Sequence, residues 1–218
     1  MIEIRGLTKS FDGPAGPVQA LTDVSFRVAD GEFVAVQGPS GCGKTTLLLT
    51  TGAMLRPSAG SVVIDGRDPY ALSAGQRSRF RAQHIGFVFQ EFYLIPYLDV
   101  LDNILAADIA HPRADALERA RELVSRFGLE ERADHVPAQL STGECQRTAM
   151  ARALMNDPRV LLADEPTGNL DAENAEVLLD GLRRFAQNGG SVLLVTHDRQ
   201  AAQHARRVLQ LERGRLCE

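Results

Sequence analysis

Gly38-Pro39-Ser40-Gly41-Cys42-Gly43-Lys44-Thr45 decides the reading of this chain: it fits G-x-x-x-x-G-K-[ST] and joins an apolar run at 33–36 to a helix-compatible run at 45–54. Glycines let backbone N–H groups converge on phosphate oxygens, and the following helix N-terminus adds partial positive charge. Lys44 is placed to reach the outer phosphates, Thr45 to offer a hydroxyl to magnesium, and Thr46 is expected among the nucleotide-binding residues. Lys9 and Lys44 are the only lysines, so a rare residue stands where this chemistry needs one. A hydrolase nucleophile elbow is excluded, because G-x-S-x-G would need glycine where Cys42 stands, and Ser40 is no nucleophile.

Working outward, residues 2–7, 25–28 and 33–36 read as short strands, the last two separated by the turn residues Asp30 and Gly31. Residues 12–17 read as a Gly/Pro loop, and 61–64 and 85–89 as further strands. From 91 to 157 strands give way to helical periodicity, with Leu117, Ala120, Val124 and Phe127 on one face and Glu122 and Arg126 as an i,i+4 pair. The apolar runs at 160–163 and 192–195 have the pattern of strands buried on both faces of a parallel sheet, with a helix over 172–187 between them. A strand at 208–211 and the turn Arg213-Gly214 follow. These elements predict an α/β protein with a mainly parallel sheet: a core of 1–90 and 158–218, including an N-terminal antiparallel β subdomain, and a helical subdomain of 91–157 inserted into it.

The run 160–163 ends in Asp164-Glu165-Pro166, at the carboxyl end of a strand, where open α/β sheets bind ligands. With the loop at 38–45, the spacing makes Asp164 a magnesium ligand through its shell and Glu165, one residue further and turned the other way, the group that orients or deprotonates an attacking water. This much predicts a P-loop NTPase. Leu140-Ser141-Thr142-Gly143-Glu144 adds an S-x-x-E capping box at the start of a helix running to about Met155. A capped N-terminus with Gly143 allowing close backbone approach is also an anion site.

Leu140 to Glu144 resembles the signature motif of ABC ATPases, and the other motifs of that family follow in family order. The resemblance implies a Q-loop glutamine at Gln90 that touches magnesium and water, a D-loop at Asn169-Leu170-Asp171, a switch histidine at His197 that contacts the γ-phosphate, and an adenine-stacking aromatic at Phe11. Taken alone, Asp171 is an N-cap for the helix at 172–187 and Phe11 a core residue. Gly86 to Gln90, Ala163 to Asp171 and Val195 to Asp198 are similar to the macrolide-export and lipoprotein-release branch. That resemblance implies an ATP-hydrolysing subunit with ATP and Mg2+ bound between two copies of the chain, a membrane permease as partner, and a peripheral location on the cytoplasmic face of the inner or plasma membrane. Two residues depart from the family's pattern: Thr142 stands where glycine is usual, Glu144 where glutamine is usual. A carboxylate near a bound phosphate weakens a closed dimer by like-charge repulsion. The capping role turns Glu144 away from the nucleotide, so activity is expected to survive.

Bulk properties narrow the alternatives. Across 218 residues, 44% hydrophobic and 24% charged residues with net charge -4 are ordinary for a folded globular chain. Scattered basic residues exclude the usual electrostatic footprint of nucleic-acid binding. Cys42, Cys145 and Cys217 have neither C-x-x-C spacing nor an even count, which suits a reducing compartment. No apolar run reaches the roughly 18 residues of a spanning helix, and residues 1–10 lack a signal-peptide layout, so another polypeptide is expected to cross any membrane involved. A small-molecule kinase has no use for residues 140–144. A soluble ABC ATPase of DNA repair or translation would carry long inserts or tandem cassettes, and a weakly hydrolysing regulatory cassette is the reading that Thr142 and Glu144 leave open.

Overall fold

A computed structural model describes residues 1–14 and 16–217. β1 (Ile2–Gly13) and β2 (Gly16–Val28) form an antiparallel hairpin, with β4 (Ala59–Ile64) on the other side of β1. β3 (Phe33–Gln37) leads into the glycine loop and α1 (Lys44–Thr51). After α2 (Ala74–His84) come β5 (Ile85–Phe89), then α3 (Val100–Leu105), α4 (Ala116–Arg126) and α5 (Thr142–Leu154), with no strand in 91–157. The chain returns through β6 (Val160–Asp164), α6 (Ala172–Gln187), β7 (Ser191–Thr196), α7 (Arg199–Gln203), β8 (Arg207–Glu212) and β9 (Arg215–Cys217).

The large sheet has strand order β5-β6-β7-β3-β8-β9, parallel throughout except for the β8/β9 pair. Its two faces feed two cores. Val34, Val36, Leu162, Leu193 and Val195 pack with α1 and the small antiparallel sheet, whereas Phe33, Ala35, Leu161, Ala163, Val192 and Leu194 pack under α3 to α7. Successive side chains of one strand point to opposite faces, so a strand covered on both sides must be apolar at every position, as β6 and β7 nearly are. The α/β fold with a mainly parallel sheet and an antiparallel β subdomain is therefore as expected.

Local detail differs in four places. The hairpin strands extend through most of 12–17, because β1 and β2 stay paired down to Gly13 and Gly16; Ala15 lies outside the described residues. Leu117 is 46% exposed, and the buried face of α4 is Ala120, Leu123 and Val124. Glu122 pairs with Arg119 at 2.7 Å, while Arg126 lies over the Phe127 ring. Finally, α2 escapes periodicity analysis because Phe80 alone is buried among its residues; its one local signal is the Ser73-x-x-Gln76 capping box.

Candidate functional site

The loop between β3 and α1 is shaped by two close approaches. A Cβ at Gly38 would lie 2.1 Å from the Leu211 carbonyl oxygen, and one at Gly43, whose φ is 109°, 2.4 Å from that of Ala20. Glycine is thus required where the loop passes under β8 and beside β2. Pro39, Ser40, Gly41 and Thr45 are exposed, whereas Gly38, Cys42 and Lys44 are buried. Gly43 caps α1 without a side-chain hydrogen bond, so the N–H groups of the first helical turn face the loop uncapped. Lys44 is 7% exposed, and its ammonium donates to the carbonyls of Gly38 at 2.9 Å and Pro39 at 3.1 Å. Thr46 accepts the Thr50 hydroxyl at its carbonyl, within α1.

β6 lies two strands from β3, and delivers its carboxylates to the same end of the sheet. The Thr45 hydroxyl donates to Asp164 Oδ1 at 3.3 Å. Burial pushes the Asp164 carboxyl above its ordinary value, with the Thr45 bond opposing. Glu165 follows in a left-handed conformation, φ 46°, uncommon for a residue with a Cβ. That turn sends its side chain to the end of β7: Oε2 accepts from Thr196 Oγ1 at 2.9 Å and from the His197 N–H at 3.0 Å, while Oε1 lies 2.9 Å from His197 Nδ1 and 3.4 Å from Lys44 Nζ. Burial works to raise the Glu165 pKa, but the bonds from His197 and Thr196 outweigh it and hold the group below its ordinary value. At the end of β5, Gln90 donates to Asn169 Oδ1 at 3.4 Å, and Asn169 returns a bond to the Gln90 carbonyl at 3.2 Å.

Lys44, Thr45, Asp164, Glu165 and His197 therefore form one connected polar cluster, with Gln90 held beside it on Asn169. Two hard oxygens, from Thr45 and Asp164, adjoin a buried ammonium and a helix N-terminus, and this donor set fits magnesium carried by a phosphate chain. The arrangement can neutralise anionic oxygens from Lys44 and the loop N–H groups while keeping an ionised carboxylate ready to accept a proton.

The second motif lies elsewhere. Ser141 caps α5: its hydroxyl accepts the Glu144 N–H at 3.3 Å, and Glu144 Oε2 accepts the Ser141 N–H at 2.7 Å. Ser141 and Thr142 are exposed; Gly143 is buried, and a Cβ there would lie 2.4 Å from Asn174 Oδ1. Among the described residues no hydrogen bond or ion pair joins 141–144 to 38–46. Asp171 caps α6, accepting from the Asn174 N–H at 2.8 Å. Phe11 is 41% exposed on β1, with Lys9 Nζ 4.9 Å from its ring centroid. Sequence reasoning missed Thr196 as a Glu165 partner, Arg132 as a Glu144 partner at 2.9 Å, and Asn174 beside Gly143. None of these pairings leaves a local spacing signal.

Comparison with known proteins gives consistent relatives. The family described as ABC transporter matches over residues 21–168. The chain is 42% identical over 219 residues to "Lipoprotein-releasing system ATP-binding protein LolD 1" of Rhodopirellula baltica, covering 99% of this chain and 96% of the relative. It is 39% identical over 218 residues to "Macrolide export ATP-binding/permease protein MacB" of Burkholderia cenocepacia, covering 99% of this chain and 32% of the relative. The chain thus spans about a third of the length of the macrolide-export relatives and nearly all of the lipoprotein-release one. Among solved structures it is similar to the dimeric, post-hydrolysis ATP-binding cassette MJ0796 bound to ADP and Pi, with TM-score 0.92 and 36% identity over 100% of this chain and 97% of that one.

Proposed function

Because this chain belongs to the ABC transporter family, as an ATP-hydrolysing cassette, we propose that two copies of it close head-to-tail around ATP and drive a membrane permease of the export or lipoprotein-release kind. One observation carries the reading: Lys44, Asp164, Glu165 and His197 converge on the glycine loop, while the capped N-terminus of α5 is bonded to none of them. A second anion site separated from the first within one chain is what a shared, two-copy site requires. Ser141, Thr142 and Gly143 of one copy would then cover the γ-phosphate held by the loop of the other, with Phe11 stacked on the base and Asp171 at the junction.

The chemistry follows from the cluster. The carbonyls of Gly38 and Pro39 now occupy the Lys44 ammonium, and phosphate oxygens would replace them. Thr45, Asp164 and Gln90 would hold magnesium, which when bound neutralises charge on the phosphate oxygens. Glu165, kept ionised by Thr196 and His197, takes the proton of a water whose oxygen attacks the γ-phosphorus in line. The bond from that phosphorus to the bridging oxygen breaks, ADP and phosphate form, and the contact between the two copies is lost once the phosphate leaves.

A groove of about 450 Å3 between the sheet and the helical segment 91–157 supports a permease contact. Phe87, Tyr93, Ile95 and Ala106 line it together with Arg81 and Arg152, a composition suited to a short amphipathic helix. Among the described residues no helix is long and apolar enough to cross a membrane; in this reading the permease contact is what would hold the chain at the cytoplasmic face of the membrane. The test is Lys44→Ala: nucleotide binding should be lost in calorimetry, and an affinity equal to that of the parent chain would contradict the loop reading.

A further inference from the structure

Within the cap of α5, the carboxylate of Glu144 has a partner on a different element. Arg132 ends the short 3-10 turn Glu130–Arg132, and its Nε donates to Glu144 Oε1 at 2.9 Å while Nη1 reaches the Glu131 carbonyl at 3.3 Å. The other oxygen of Glu144 accepts the Ser141 N–H at 2.7 Å. Capping alone does not call for this charge. In α2 the equivalent position is Gln76, whose Oε1 accepts the Ser73 N–H at 3.1 Å, and Gln139 does the same for Val136 N–H at 3.0 Å. A neutral amide therefore makes the same return bond twice in this chain, once within a full capping box at Ser73 and once at Val136, which has no side-chain acceptor, and the carboxylate at 144 brings a negative charge that an approaching phosphate must meet.

We propose that Arg132 is a positioning residue for the nucleotide-closing segment: it cancels the charge of Glu144 and holds that side chain on the Ser141 N–H, so that Ser141 and Gly143 can meet a phosphate. The inference rests on the reading of residues 141–144 as the segment that covers the γ-phosphate of a second copy. Without Arg132, the carboxylate keeps its charge at a helix N-terminus and offsets the field that attracts the anion. The Glu144 carboxyl is held below its ordinary value, first by the Ser141 backbone bond, so it does not escape by protonation near neutral pH. Because both side chains are partly exposed, the effect depends on salt.

A double-mutant cycle measured by light scattering tests this, in the full chain on a Glu165→Gln background that arrests hydrolysis. The ATP concentration for half-maximal dimer formation should rise about tenfold with Arg132→Ala, the size of coupling that contacting charged groups show. On an added Glu144→Gln background the same substitution should cost less than about twofold, and Arg132→Lys, which keeps the charge, should fall between. Melting curves of each variant separate loss of fold from loss of closure, and Arg132→Lys carries the test if Arg132→Ala does not fold. Equal costs on the two backgrounds would overturn the proposal and leave the two-copy site intact. No ATP-driven dimer in the Glu165→Gln parent would overturn both.

Discussion

At the residue scale, the left-handed turn at Glu165 sets the chemistry. Asp164 continues the strand toward Thr45, and the φ of 46° at the next residue directs its carboxylate to Thr196 and His197 instead. Two adjacent carboxylates therefore acquire opposite pKa shifts: Asp164 is raised, chiefly by burial, and Glu165 is lowered because its hydrogen bonds outweigh burial. Glu165→Gln keeps the size and the bond-accepting oxygen but cannot take a proton. Phosphate release should slow about 100-fold or more while ATP still binds, and unchanged turnover in a steady-state assay would remove Glu165 from its role. Gly38, like Gly43, is a residue whose identity the fold dictates. Its substitution by alanine puts a methyl 2.1 Å from a backbone oxygen of Leu211, which cannot rotate away. Gly38→Ala should cost about 2–3 kcal/mol in urea unfolding.

Among the elements, α5 and α6 match their sequence reading closely because each start is set by a cap three residues long in reach: Ser141 with Glu144, Asp171 with Asn174. α2 has an equally good cap, yet its face is too polar to announce a helix, with Phe80 alone buried. The cap of α5 also makes its stability depend on pH. Glu144 has an unfolded value near 4.5 and a lower folded one, owing first to the Ser141 N–H and then to the Ser141 hydroxyl and Arg132. Its contribution is fully present above that unfolded value and is lost as pH falls through the folded one. Melting temperature should therefore drop on acidification below about pH 4.5, and Glu144→Gln should make that drop shallower. An identical pH profile for the two proteins would mean that the carboxylate contributes nothing to folding.

On the scale of the whole molecule, one sheet with a core on each face ties the loop to the carboxylates. Leu162 is fully buried on the α1 side of β6, two residues before Asp164. Leu162→Ala should cost about 3 kcal/mol, and because both cores share the strand, unfolding in urea should remain one transition with the same slope. Two separated transitions would show that the faces unfold independently. What the sequence determined alone was the glycine loop, the order of the motifs, the alternation of strand and helix and the caps of α5 and α6. Each rests on groups within a few positions of one another, where backbone geometry and side-chain reach leave little choice. The tertiary structure decided the rest: the placing of β3 between β7 and β8, the bond from Thr196 to Glu165 across 31 positions, the pairing of Arg132 with Glu144 across 12, and the exposure of Leu117. These contacts depend on which strands and helices become neighbours. That choice is made by burying both faces of the sheet at once, and no local stretch of chain encodes it.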